Sequence, residues 1–275
     1  MLIKTMLINS ELPICMLDRN NDLNEYDFVL FHLYISNKEY REFYRKQRSS
    51  QPNRLMILDN SAYEFFIKGE TLDMDAFVRV INELQPDMYI LPDTLMNMDK
   101  TLKDTREFLS KYNITCSKPL AVAQGNTANE LTACILLYQD MDIKNIAIPF
   151  HNSFFKDSYG EYDGYIMMSK YGVVDMTDDM KYACGRIKWV RDNRTLLAQF
   201  YHVHLLGSHC PYEKVFYMYD PITTMDTGYP VKCAIEGYEL FKEPHKPNII
   251  IDDFLNRELD CKDLIAKNIT IFRDL

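Results

Sequence analysis

Short apolar runs alternate with amphipathic stretches along most of this chain. The runs Ile3–Ile8, Phe28–Leu33, Leu55–Leu58, Met88–Leu91, Leu120–Ala123, Asn145–Pro149, His202–Leu206 and Ile222–Asp226 are short and nearly continuous in apolar character. Strands covered on both faces read this way, whereas half-exposed strands alternate. Between them, helical periodicity marks Lys38–Arg48, Met74–Leu84, Lys100–Tyr112, Ala128–Met141, Arg186–Phe200 and Tyr212–Tyr219. Strand, helix and strand repeated in this order imply right-handed crossovers and a parallel sheet. Eight candidate strands favour closure over an open sheet, so the pattern predicts an α/β fold, a (β/α)8 TIM barrel. Such a barrel takes roughly 250 residues, and the chain has 275 with no Gly- or Pro-rich linker. A single domain over residues 1–275 is expected.

Two segments break the alternation. Residues 151–181, rich in Tyr and Gly, follow a strand and are expected to form an irregular loop at the barrel mouth. Residues 244–275 read as a C-terminal extension, with an apolar run at Ile249–Ile251 and a final helix over Phe254–Lys267.

Composition narrows the function classes. The seven cysteines are odd in number and lack C-x-C or C-x-x-C spacing. That argues against a disulfide framework and against a structural zinc, so no metal is expected. No Gly-rich phosphate loop and no strand-end Lys of the aldolase kind is present, and no cofactor is expected. The first twenty residues are interrupted by charges and Pro13, and no apolar run approaches the roughly 20 residues of a membrane span. A cytoplasmic protein without a membrane partner is the expectation. Net charge is -9, which weighs against strong non-specific nucleic-acid binding. Two basic stretches could still form a local phosphate track: Lys38, Arg41, Arg45, Lys46, Arg48 and Arg54, then Lys181, Arg186, Lys188, Arg191 and Arg194.

The chemistry of a parallel barrel sits where its strands end. The third run ends LDNSAYEF at Asp59, the fourth ends LPDTL at Asp93, and the fifth ends AVAQGNT at Gln124 and Gly125. The sixth ends AIPF at Pro149, the seventh HLLGSHCP at Leu206 and Gly207, and the eighth MDTGYP at Asp226. A lone Asp after a strand is often only a helix cap. Three carboxylates and a carboxamide at strand ends suit another purpose. Two carboxylates can cleave an N-glycosidic bond, one attacking the anomeric carbon and the other moving the proton of the base. A further carboxylate accepts from the N–H donors of a guanine-like base, and a Gln amide donates to its carbonyl.

The order and spacing of LDNSAYEF, ILPDTL, LAVAQGNT, NIAIPF, HLLGSHCPYE and MDTGYP resemble the tRNA-guanine (queuine/archaeosine) transglycosylase superfamily, from about Leu55 to Pro230. The resemblance implies Asp226 as nucleophile and Asp59 as general acid/base. It implies Asp93 and Gln124 as readers of the base edge, with Gly125, Gly207 and the strand end Ala147–Pro149 beside the base. Tyr63 would stack on one face of the base and Leu206 lie on the other. This chain also departs from the tRNA enzymes. Their Asp-Ser-Gly-Gly motif is Asp59-Asn60-Ser61-Ala62 here, Pro149-Phe150 replace a Gly-Gly pair, and a Cys₃His zinc subdomain is missing. These departures resemble compact phage relatives that insert 7-deazaguanine bases into DNA. DNA and a free 7-deazaguanine base are the expected partners, with tRNA as the alternative polymer. A partner protein or a homodimer remains open. An N-glycosidase acting on free nucleosides or nucleotides is the alternative from another class.

Overall fold

A computed structural model describes residues 6–150, 152–158, 177–210, 212–242, 255 and 257–275. Most of the expected mouth loop and the run Ile249–Ile251 lie outside these residues. Eight strands, β1 (Leu7–Ser10), β2 (Asp27–Leu30), β3 (Met56–Asp59), β4 (Met88–Ile90), β5 (Lys118–Val122), β6 (Asn145–Pro149), β7 (His202–Leu206) and β8 (Thr224–Thr227), form a parallel sheet. Their order is β1-β8-β7-β6-β5-β4-β3-β2. With helices between successive strands, this is the α/β topology of a (β/α)8 barrel. The chain divides into two compact units, residues 26–147 and residues 1–25 with 148–275.

In the unit of residues 26–147, β2 to β6 alternate with α2 (Phe31–Ser36), α3 (Lys38–Ser50), α4 (Ala62–Lys68), α5 (Met74–Leu84), α6 (Met98–Lys111) and α7 (Ala128–Asp140); a short α1 (Asn20–Leu23) precedes them in the chain. Four of these helices start alike. Asn37, Asp73, Asn97 and Thr127 each accept from the N–H three residues on, satisfying a donor that the helix leaves orphaned. α5 buries Phe77, Val80, Ile81 and Leu84, the i, i+3, i+4, i+7 stripe of an amphipathic helix. β2 stops at Leu30, earlier than the apolar run suggested. Phe31 begins α2 there, and the His32 N–H donates to Ser61 Oγ (3.1 Å) in the loop after β3, drawing the chain off the ladder.

The other unit holds β1, the end of β6, β7 and β8, with α8 (Ser153–Ser158), α9 (Asp178–Asp192), α10 (Arg194–Leu197), α11 (Tyr229–Ile235) and α12 (Lys262–Asp274). β1 lies later than the expected Ile3–Ile8, residues 1–5 being outside the described set. α9 begins well before the expected Arg186, because Thr177 Oγ1 caps Met180 N–H and Asp178 and Asp179 complement the helix dipole. The expected helix Tyr212–Tyr219 is a short 3₁₀ turn, Glu213–Tyr217, whose Glu213 faces inward to Arg186 and the Tyr217 hydroxyl. The last helix starts at Lys262, not Phe254, and buries Ile265, Asn268, Ile269 and Phe272. Asn268 fastens it: its Oδ1 accepts from Leu240 N–H (3.0 Å), and its Nδ2 donates to the carbonyls of Pro230 (3.2 Å) and Tyr238 (2.9 Å). The extension is thereby tied to α11, the helix that follows Asp226.

Candidate active site

Asp59 closes β3, in register with Leu30 of β2. Its Oδ2 accepts from Ser61 N–H (2.8 Å). Ser61 adopts a left-handed backbone, φ +58°. A non-glycine residue pays strain there. Ser61 is held by its hydroxyl, which lies 2.9 Å from His32 Nδ1 and accepts from His32 N–H.

The next residue reaches across the sheet. Asn60 is buried, and its Nδ2 donates to Leu91 O (2.8 Å) and to Asp93 Oδ1 (2.9 Å). Gln124 Nε2 donates to Asp93 Oδ2 (2.7 Å), while Gln124 Oε1 accepts from Met96 N–H (2.9 Å). Both oxygens of Asp93 thus face amide donors, and both amides are fixed by backbone groups. Burial raises the Asp93 carboxyl above its ordinary value, against the lowering effect of Asn60 and Gln124. Gly125 has a packing reason as well: a Cβ there would stand 2.8 Å from Glu130 Cβ and 2.9 Å from Leu131 N, at the first turn of α7. Tyr63, on α4, is 47% exposed, and Phe66 and Ile67 of the same helix are more open still.

In the other unit Asp226 sits in β8, opposite Asn9 of β1, and is 4% exposed. Two donors meet one of its oxygens, His204 Nε2 at 3.0 Å and Gly207 N–H at 2.9 Å, both on Oδ1. Gly207 takes φ +62°, the turn that points its N–H at this oxygen. The same peptide region is pinned from behind by Arg186, which is fully buried. Arg186 donates to the carbonyls of Gly207 (2.7 Å), Leu206 (3.0 Å) and Ile148 (3.3 Å) and forms a bidentate pair with Glu213 (2.7 and 2.8 Å). Tyr217 and Ser208 hydroxyls donate to Glu213 as well, so this buried pair is saturated with partners. Pro149 ends β6, and the ring of its neighbour Phe150 lies under the Arg186 guanidinium at 4.8 Å.

Within each unit the expected residues are therefore engaged with one another: Asp93 with Gln124, and Asp226 with Gly207. The sequence reading missed Asn60, His204, Thr224 and the Arg186–Glu213 pair as members of these sets. A signal for His204 and Thr224 existed. His202-x-His204 on β7 and Thr224-x-Asp226 on β8 follow the period of two that puts alternate side chains on one face of a strand. Nothing local marked Arg186, whose partner Glu213 lies 27 residues away.

The basic stretches are largely neutralised at home. Arg48 pairs with Asp87 (3.0 Å) and Arg54 with buried Asp27 (3.0 Å); Arg45 bonds Glu83, and Arg41 donates to the carbonyls of Tyr34 and Ile35. In the second stretch Lys181 meets Asp178 (3.3 Å), Lys188 meets Asp192 (2.5 Å), and Arg191 and Arg194 both approach Asp220 (4.0 and 3.7 Å). All seven cysteines are free. Among the described residues, no group of three or more His, Cys, Asp or Glu side chains could hold a metal ion, and no helix is long and apolar enough to cross a membrane. No protein-family model and no curated protein matches this chain.

Proposed function

We propose that this protein is a base-exchange transglycosylase that replaces guanine in DNA with a 7-deazaguanine derivative. The observation that carries this reading is Asp226, a buried strand-end carboxylate whose donors among the described residues both meet one oxygen. Asp226 attacks the anomeric carbon; a carbon–oxygen bond forms as the bond from that carbon to the guanine nitrogen breaks. The departing base takes the electron pair and receives a proton from Asp59. The incoming base then gives a proton to Asp59 and attacks the same carbon, and Asp226 leaves with its electrons. Atoms and charge balance without a cofactor. Asp93, fixed by Asn60 and Gln124, accepts from the N–H donors of the base. The target nucleotide must be turned out of any duplex for the attack.

The experiment offers labelled guanine with DNA and with unmodified tRNA in parallel. Label in DNA supports the reading, label in tRNA alone changes the polymer and keeps the mechanism, and label in neither polymer overturns exchange. One observation favours a second reading, an N-glycosidase of free nucleosides or nucleotides. The basic side chains that would track a phosphate backbone are mostly paired with acids of this chain. Release of base from nucleosides without polymer exchange would establish that alternative.

A further inference from the structure

Resting on the transglycosylase reading, we propose that His204 is the positioning residue for Asp226. In this proposal His202, Thr224 and His204 form a directed hydrogen-bond chain that occupies Asp226 Oδ1 and leaves Oδ2 as the attacking oxygen.

The direction follows from counting protons. Thr224 Oγ1 lies 2.8 Å from His202 Nε2 and 2.8 Å from His204 Nδ1. A hydroxyl has one proton, so it donates to one of these nitrogens and accepts from the other. His204 Nε2 lies 3.0 Å from Asp226 Oδ1. An ionised carboxylate only accepts, so this nitrogen carries a proton. A neutral His204 then has a bare Nδ1, which must accept from Thr224. Thr224 must in turn accept from a protonated His202 Nε2. The order is His202 to Thr224 to His204 to Asp226, with both rings as Nε2–H tautomers.

The four residues sit in pairs on adjacent strands, with His204 in register with Thr224. All are buried, so water does not compete for these bonds. The Gly207 N–H adds a second donor to Oδ1, and no described residue donates to Oδ2. Hydrogen bonds draw electron density from the oxygen that accepts them. Oδ2 keeps its density, and the chain fixes the carboxylate plane so that this oxygen is presented in one orientation.

Histidine nitrogen NMR on ¹⁵N-labelled protein, with the His204 signal assigned through His204→Gln, reads the tautomer directly. The same protein is assayed as wild type, Thr224→Val and Thr224→Ser, with thermal melting to confirm folding. The expected result is a neutral His204 protonated on Nε2. Thr224→Val should lower kcat roughly 10- to 100-fold with KM within about threefold of wild type. Thr224→Ser, which keeps the hydroxyl, should restore most of that loss. A His204 carrying a proton on Nδ1, whether neutral or doubly protonated, or a folded Thr224→Val protein with wild-type kcat, overturns the proposal. If the wild type exchanges no base into DNA or tRNA and releases none from nucleosides, the catalytic reading and the role of Oδ2 fall together. The tautomer in the same sample still decides the hydrogen-bond chain.

Discussion

The carboxylate of Asp93 is held on both oxygens by side-chain amides, Asn60 on one and Gln124 on the other, whereas both donors to Asp226 converge on a single oxygen. A carboxylate fixed at both ends is a template: it presents its remaining lone pairs in a set direction and suits recognition. A carboxylate fixed at one end is oriented but keeps an unengaged oxygen, which suits attack. The supports differ too. The partners of Asp93 are neutral amides on strand ends and the loops just after them, and the Asp226 set leans on the buried Arg186–Glu213 ion pair. The first should therefore fail in function before it fails in folding. The second should fail in both.

The largest effect is expected at that ion pair. Arg186→Met leaves the buried Glu213 carboxylate without its ionic partner, at a cost of about 3–5 kcal/mol in unfolding free energy. Adding Glu213→Leu should recover much of this, because an apolar pair needs no solvation. Denaturant titration of the single and double variants reads both numbers. Next is Gly185→Ala, just before Arg186. A Cβ there would lie 1.9 Å from Phe155 O, a backbone atom that cannot turn aside, so α9 must move off α8. A loss of about 3 kcal/mol is expected, with Tm falling and exchange falling alongside it.

Asp93→Ala should behave in the contrasting way. It removes a charge-assisted acceptor worth about 1.5–3 kcal/mol in binding, raising KM for the free base about tenfold or more while Tm changes little. A large fall in Tm with unchanged KM would make Asp93 structural and erase the contrast. The pH dependence sharpens the same point. Burial raises the folded Asp93 carboxyl above its ordinary 3.8. Its contribution to stability is thus fully present below that value and is lost as pH rises through the raised one. On the proposed reading base binding has the opposite sign, since it would need the ionised acceptor. Affinity for the base should fall on acidification above pH 3.8, and Asp93→Ala should lose that acid limb. The smallest effect is expected at a cap. Thr127→Ala, which unties the N-terminus of α7, should cost about 1 kcal/mol and leave KM unchanged.

The two regions also differed in how far the sequence announced them. Asp59, Asp93, Gln124 and Asp226 stood out because each follows an apolar run, and strand-end chemistry depends on that position. Strands β6 and β7 matched their runs residue for residue, since continuous apolar character bounded by polar residues is a local property. Helix starts were less legible: Thr177 begins α9 with a cap set among residues that carry no strong periodicity. The supporting shell was least legible. Arg186 read as part of a basic surface stretch, and only the fold brings Glu213 to it and buries both. Ser61 illustrates the same point. Nothing in the sequence around Ser61 marks a left-handed residue, and the structure shows serine taking that conformation with help from His32.

Mass analysis of the trapped reaction tests the role of Asp226 most directly. Protein mixed with guanine-containing DNA and no incoming base is quenched in acid, digested and mapped. The expected result is a sugar–phosphate adduct on the peptide that carries Asp226, absent from Asp226→Asn, whose exchange should fall roughly 10³-fold or more while its melting stays near wild type. An adduct on another residue, or exchange by Asp226→Asn at the wild-type rate, would contradict the assignment.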